Sequence, residues 1–331
     1  MKKTLTRKLT DIWYKDMFIG SWLMPLGFIF SDITRFRKFL YRHNIGRFKT
    51  ERLPVPVIIV GNITVGGTGK TPLIIALANV LKAQGFKVGI ISRGYGGDEV
   101  PRWVTVNSDP KQVGDEALLI AKQTDCPMAV APLRVEAGKL LLEHADCNVI
   151  LSDDGLQHYA LHRDIEIAVI DGERRFGNSY CLPAGPLREP IHRLQSVDFI
   201  VVNGEKTEAN ELEMHITGDT AVNLVTGEHK PLSAFATENT LHAVAGIGNP
   251  DRFFKLLTAA GLTFTAHSFP DHYTFLPRDI DFKTTVLMTE KDAVKCTDFA
   301  TAQHWFVPVN ATLDPKFTEQ LLTLLEKKYD R

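Results

Sequence analysis

No Cys-x-x-Cys pair occurs in this sequence. Its four cysteines, Cys126, Cys147, Cys181 and Cys296, are widely spaced. That excludes a zinc-ribbon site and a disulfide framework, and points to free thiols in a reducing compartment. Tandem repeats and low-complexity tracts are also absent. So is any apolar run of the ~20 residues that a membrane-spanning helix needs: the uncharged N-terminal stretch from Met17 to Phe30 is shorter. A signal peptide is not expected there, because Asp11 and Asp16 precede the stretch and no small-x-small cleavage site follows it. What remains, 331 residues with 44% hydrophobic and 23% charged side chains, describes a soluble globular chain long enough for two domains.

The most informative segment is Val57-Ile-Ile-Val-Gly-Asn-Ile-Thr-Val-Gly-Gly-Thr-Gly-Lys-Thr-Pro72. A β-branched run, Val57 to Val60, predicts a buried strand, and Gly69-Lys70-Thr71 opens an apolar helix running to about Gln84. A glycine-rich turn between strand and helix is the context of a phosphate-binding loop. Glycines let backbone N–H groups converge on phosphate oxygens, and the helix N-terminus adds positive potential. Thr64, Val65, Gly66, Gly67, Thr68, Gly69, Lys70 and Thr71 are therefore expected to hold a nucleoside triphosphate. Lys70 would meet the β- and γ-phosphates and the Thr71 hydroxyl would reach Mg²⁺. Thr64 stands where the usual pattern has glycine, with Gly66 and Gly67 supplying the flexibility.

Charge is unevenly distributed. Residues 1–50 carry eleven Lys/Arg against three Asp, a surplus of +8, which leaves −9 on the other 281 residues for the overall −1. Beyond the uncharged stretch, Arg35, Arg37, Lys38, Arg42, Arg47 and Lys49 interleave with Phe36, Phe39, Leu40, Tyr41, Ile45 and Phe48. Such a mixture suits a helix lying in the surface of an anionic leaflet, or a hairpin packed on the protein's own core. The apolar share argues against nucleic acid.

Apolar runs at 128–131, 148–152, 166–170 and 198–202 alternate with helical stretches near 115–124 and 134–145. This alternation predicts a P-loop NTPase-like parallel sheet flanked by helices, with the site at the strand C-termini. Asn148 to Gly155 is an apolar strand ending in Asp153 and Asp154; either acid can hold the metal, or the pair can cap a turn. Asp115, in Val113-Gly-Asp-Glu-Ala117, has the position of a helix N-cap. Arg188 and Glu189 sit in the proline-fixed loop Pro183 to Pro190, where arginine suits bidentate phosphate contact or an ion pair. The polar, broken stretch 203–240 reads as a linker. After it come a strand, Leu241 to Ile247, a helix from Arg252 to Ala260, and a loop carrying Asp271 and His272. A loop histidine beside an acid is a candidate general base or a surface residue. The expected layout is an amphipathic helical arm (1–50), a kinase core (51–215) and a smaller α/β lobe with its linker (216–331).

The ordered set VGNITVGGTGKTP (60–72), SRGYGG (92–97), VGDEA (113–117), SDDGLQH (152–158), LPAGPLREP (182–190), FPDHYTF (269–275) and MTEKDAVK (288–295) resembles the tetraacyldisaccharide 4′-kinase (lipid A 4′-kinase) family of Gram-negative bacteria. The resemblance covers nearly the whole chain, and the family's loop has the Thr64 form. It implies ATP and Mg²⁺, an acylated disaccharide 1-phosphate lipid as acceptor, no nucleic acid, and a peripheral place on the cytoplasmic leaflet of the inner membrane. By resemblance, Asp115 falls on a catalytic aspartate and His272 on its partner, with Lys70 the third catalytic group. Asp153, Asp154 and Glu116 join Thr71 on the metal side. Arg93, Tyr95, Arg134, Gln157, Arg188, Glu189 and Asp271 support the site. The acceptor's 1-phosphate is expected near an arginine such as Arg188. Two rivals differ in kind. A P-loop GTPase needs Asn-Lys-x-Asp, which Thr289-Glu-Lys-Asp292 matches only loosely. A nucleotide-dependent membrane tether needs neither Asp115 nor His272.

Overall fold

A computed structural model describes residues 12–14, 21–238 and 240–329. Residues 1–11 and 15–20, which include the start of the uncharged stretch, lie outside the described residues. Helix α1 (Met24–Arg42) has Pro25 in its first turn, where a missing N–H costs nothing. Gly27 is its buried residue: a Cβ there would lie 2.9 Å from the Cys181 carbonyl oxygen, so glycine lets the helix backbone settle on the 181–184 loop. Farther along, Lys38 Nζ donates to Ser196 Oγ at 3.3 Å, and Thr50 Oγ1 to the Tyr159 carbonyl at 3.0 Å. On the uncovered side Trp22, Leu26, Ile29, Ile33 and Phe36 recur at helical spacing as one exposed apolar stripe. No described helix is long and apolar enough to cross a membrane.

The strand β1 (Val57–Gly61) is buried throughout, as a strand covered on both faces must be. Ile58 and Val60 pack with Leu73, Ile74 and Leu77 of α2 (Lys70–Ala83), whereas Val57 and Ile59 face the opposite layer. The sheet continues with β2 (Val88–Ser92), β3 (Arg102–Val104), β4 (Met128–Val130), β5 (Val149–Asp153), β6 (Ile165–Asp171), β7 (Phe199–Asn203) and β8 (Glu211–Thr217). Between them run α3 (Asp115–Thr124) and α4 (Arg134–His144). With β15 (Asn310–Leu313) from later in the chain, the spatial order of nine strands is β15-β8-β7-β6-β1-β5-β2-β4-β3, parallel except at the edges β3 and β15. The chain is thus a mixed α/β protein with parallel sheets flanked by helices, and the carboxyl ends of β1, β2, β4 and β5 gather at one edge, where such folds bind ligands.

A second, six-stranded sheet holds β9 (Thr220–Asn223), β10 (His229–Pro231), β11 (Leu241–Ala245), β12 (Thr265–Ser268), β13 (Thr285–Thr289) and β14 (His304–Val307), with α5 (Pro250–Ala259) packed on it through Phe253 and Leu257. Two expectations change here. The 203–240 stretch is not a linker: it forms β8, β9 and β10. In β8 Leu212, Met214 and Ile216 face the core while polar residues alternate between them, a period-2 pattern that its charge obscures. Nor does the second lobe run to residue 331. After it, β15 (Asn310–Leu313) pairs with β8, and α6 (Pro315–Tyr329) buries Phe317, Leu321 and Leu325 in the same core as Ile58. The lobe is an insertion between β8 and β15, tied to the core at both ends.

Candidate active site

Between β1 and α2 the loop is held from three sides. Val65 N–H donates to the Pro186 carbonyl at 2.8 Å and Arg188 N–H to the Ile63 carbonyl at 2.7 Å. Asn203 Nδ2 donates to the Thr68 carbonyl at 3.0 Å, and Arg174 Nη2 to the Gly67 carbonyl at 2.9 Å. Gly69 has φ of 102° and a Cβ on it would fall 2.5 Å from Asn203 Nδ2, so glycine is required on both counts. Gly66 to Thr71 line a cavity of about 1750 Å³ between the lobes. Thr64 and Val65 do not; the Thr64 backbone bridges to Leu187 and Thr64 itself is buried. These two, expected as part of the nucleotide-holding loop, anchor it to the 186–188 segment.

Lys70 Nζ lies 3.3 Å from Asn62 Oδ1 and 3.6 Å from Asp154 Oδ1. The two aspartates after β5 differ sharply. Asp154, at φ of 46°, also accepts hydrogen bonds on both carboxylate oxygens from Arg188 Nη1, at 3.0 and 2.9 Å. Burial would raise its pKa, but Lys70 and Arg188 hold it well below the usual carboxylate range. Asp153 is buried and receives one hydrogen bond, from Ser92 Oγ at 3.2 Å; its Oδ1 has no partner. Burial, with Glu116 and Asp154 nearby, pushes its pKa up to about 7. Of the pair, Asp153 therefore presents the free carboxylate oxygen. Arg134 opens α4 buried: Nη2 donates to the Asp153 carbonyl at 2.9 Å, while Nε and Nη1 are unpartnered. Burial draws its pKa down to about 10. Gln157 Nε2 donates to the Asn62 carbonyl at 3.1 Å and borders the same cavity.

Across the cavity, the second lobe brings His272 to Asp115. His272 Nδ1 is 3.2 Å from Asp115 Oδ1 and 3.3 Å from Oδ2. Asp115, the first residue of α3, is buried and also accepts the Glu116 N–H at 2.9 Å. Burial opposes ionisation of Asp115, yet the His272 hydrogen bond and Lys291 bring its pKa below the ordinary value. Burial likewise opposes charging of His272, yet Asp115 raises it. The Tyr95 ring lies 4.6 Å from the His272 ring.

Not every expected residue joins the site as expected. Glu116 Oε1, expected on the metal side, is taken by Lys291 Nζ of the second lobe at 2.8 Å, and the same ammonium holds Asp271 Oδ1 of its own lobe at 3.0 Å. Glu189 is buried among Tyr159 and Arg193 (Arg193 Nε at 3.0 Å) and does not line the cavity: its role is the ion pair. Sequence reasoning missed several parts. Asp171 accepts from Arg174 Nε at 2.9 Å, Asn249 Nδ2 at 3.1 Å and Arg252 Nη2 at 3.0 Å, binding the second lobe to the core. Arg174 Nη1 donates to the Gly248 carbonyl at 2.9 Å, and a Cβ on Gly248 would sit 2.2 Å from the Gly67 amide nitrogen. The Gly-Asn-Pro turn at 248–250 carried the one available signal.

Residues 19–326 match the family model of tetraacyldisaccharide-1-P 4′-kinase (LpxK). Among similar proteins, the tetraacyldisaccharide 4′-kinase of Nitrosococcus oceani is 51% identical over 320 residues, covering 95% of this chain and 93% of that one. The Pasteurella multocida enzyme of the same name is 48% identical over 310 residues, covering 92% and 94%. The crystal structure of LpxK from Aquifex aeolicus in complex with ATP superposes with a TM-score of 0.76 at 29% identity, covering 93% of this chain and 99% of that one.

Proposed function

The chain belongs to the tetraacyldisaccharide-1-P 4′-kinase family, and on that premise we propose how its residues carry out the family's reaction. It is an ATP-dependent lipid kinase moving the γ-phosphate to the 4′-hydroxyl of a tetraacylated glucosamine disaccharide 1-phosphate, which gives lipid IVA in lipid A biosynthesis. The loop Gly66–Thr71 and the N-terminus of α2 cradle the β- and γ-phosphates, with Lys70 as the point charge on them.

The residues fit Mg²⁺. Asp153 Oδ1 is buried and unpartnered, and Thr71 lines the same cavity. Among the described residues no group of three or more His, Cys, Asp or Glu is arranged for a metal ion, so the remaining ligands would be phosphate oxygens and water. Bound there, Mg²⁺ would neutralise charge on the transferring phosphate.

In the transfer the 4′-oxygen forms a bond to the γ-phosphorus, the bond to the β-phosphate oxygen breaks, and the hydroxyl proton passes to Asp115. His272 orients that carboxylate and balances its charge. Tyr95 covers the imidazole. Arg134 and Arg188 keep the acidic strand end electrically matched. With a loose transition state, positioning and charge stabilisation do most of the catalysis. One observation carries the reading: the Asp115–His272 contact is made between lobes, over a cavity lined by the Lys70 loop.

The exposed stripe from Trp22 to Phe36, flanked by basic residues, supports a peripheral seat of α1 in the cytoplasmic leaflet of the inner membrane. Incubation with γ-labelled ATP, Mg²⁺ and the disaccharide 1-phosphate tests the function. Label recovered as a 4′-phosphate monoester supports it; ATP consumed with no labelled glycolipid contradicts it.

A further inference from the structure

Arg174 lies in the turn that follows β6, and each of its three guanidinium nitrogens holds a different part of the chain. Nε donates to Asp171 Oδ2, Nη1 to the Gly248 carbonyl of the second lobe and Nη2 to the Gly67 carbonyl of the phosphate loop, each at 2.9 Å. Against the same guanidinium lies the ring of Tyr14, a residue of the arm, with its centroid 5.3 Å from Arg174 Cζ. The arm meets this turn in a fitted contact. Trp13 Nε1 donates to the Pro183 carbonyl at 3.0 Å, and the Asn178 N–H donates to the Trp13 carbonyl at 2.9 Å. Gly177, at φ of 55°, is the point of closest approach: a Cβ there would fall 2.6 Å from the Trp13 carbonyl oxygen. Arg174 itself does not line the cavity.

A guanidinium is a rigid planar fork, so partners bonded to all three of its nitrogens are fixed relative to one another. Here the partners are a strand end, the phosphate loop and the lobe that carries His272. Holding the Gly67 carbonyl also aims the loop. The peptide is planar and trans, so the Thr68 N–H points the opposite way, away from Arg174 and on a residue that lines the cavity. We propose that Arg174 is a positioning residue that aims the phosphate loop, and that through Tyr14 it couples the seating of the arm to nucleotide binding. This rests on the kinase reading above and names a device that tunes its nucleotide site. An ammonium keeps the charge but has no fork, so lysine cannot hold the three partners in one plane. The Tyr14 ring meets the face of the guanidinium, which its in-plane hydrogen bonds leave open to an aromatic partner.

The experiment measures the Kd for ATP by titration calorimetry on the full chain, in uncharged detergent micelles and without acceptor, and Tm alongside it. Arg174→Lys should weaken ATP binding by roughly tenfold to a hundredfold, the scale for losing a charge-assisted contact, while KM for the acceptor at saturating ATP stays near the unmodified value. Tyr14→Ala, a change in the arm alone, should weaken ATP binding by roughly threefold to tenfold, and Tyr14→Phe, which keeps the ring, should restore it. The double variant Tyr14→Ala, Arg174→Lys should bind ATP no worse than Arg174→Lys, because the ring acts through the guanidinium. A lowered Tm with the Kd for ATP unchanged overturns the proposal, since Arg174 would then be a structural strut only. So do losses that multiply in full in the double variant. If Arg174→Lys fails to fold, the Tyr14 pair decides, and an unchanged Kd in Tyr14→Ala overturns the proposal. Unmodified protein that binds no ATP would sink the kinase reading and this proposal with it, whereas ATP bound equally well by every variant overturns this proposal alone.

Discussion

His272 Nδ1 stands 3.2 Å from Asp115 Oδ1, although 157 positions separate the two in sequence and each belongs to a different lobe. Their titrations follow from that contact. The pKa of Asp115 is lowered, so its share of the interaction is present above the ordinary carboxylate value and is lost as pH falls through the lowered one. The pKa of His272 is raised, so its share is full below the ordinary imidazole value and fades as pH rises through the raised one. The thermal stability lost on His272→Ala should therefore be largest between the two ordinary values and shrink toward alkaline pH. A loss independent of pH would mean that the contact carries no charge.

Gly248 touches the loop from the second lobe. An added Cβ would meet the Gly67 nitrogen at 2.2 Å, backbone against backbone, and neither side can yield cheaply. Gly248→Ala should push the lobes apart and misplace the reacting groups, with a loss in kcat/KM of about 100-fold, as expected for misplacement near 1 Å. Circular dichroism should be unchanged. Wild-type turnover would show that the lobes need not meet here.

Lys70→Ala should cost roughly 100- to 1000-fold in kcat, the scale for deleting one preorganised charge contact, without unfolding the protein. Asp153→Asn should act differently, raising the Mg²⁺ concentration for half-maximal activity while nucleotide binding without metal persists. Equal Mg²⁺ dependence in both variants would contradict the separate roles given to them.

These separate roles show where the sequence was legible. The parallel core flanked by helices follows from β-branched runs and their alternation with helical stretches, whereas the spatial order of its strands has no such signal. Asp115 and His272 could be paired only by family resemblance, because nothing local in either motif encodes a contact across a cleft. Asp153 and Asp154 could not be told apart, since their difference comes from Arg188 and Ser92, far away in sequence. β8 hid behind its charges, and the return of β15 and α6 to the first sheet is a long-range pairing without a local signal.

The exposed stripe on α1 predicts membrane contact without spanning. Deleting residues 1–30 should move the protein from the membrane to the soluble fraction, and binding of the intact chain to anionic vesicles should weaken with salt. Salt-independent binding would argue for burial of the arm deep in the bilayer.

The central claim is that the two lobes complete one catalytic unit through Asp115 and His272. The most direct test is a double-mutant cycle on kcat for transfer to the 4′-hydroxyl, with Asp115→Ala, His272→Ala and both together. Groups acting as a unit are non-additive, so the double variant should be scarcely slower than the poorer single. Losses that multiply in full would show that the two residues act independently, and would contradict the account.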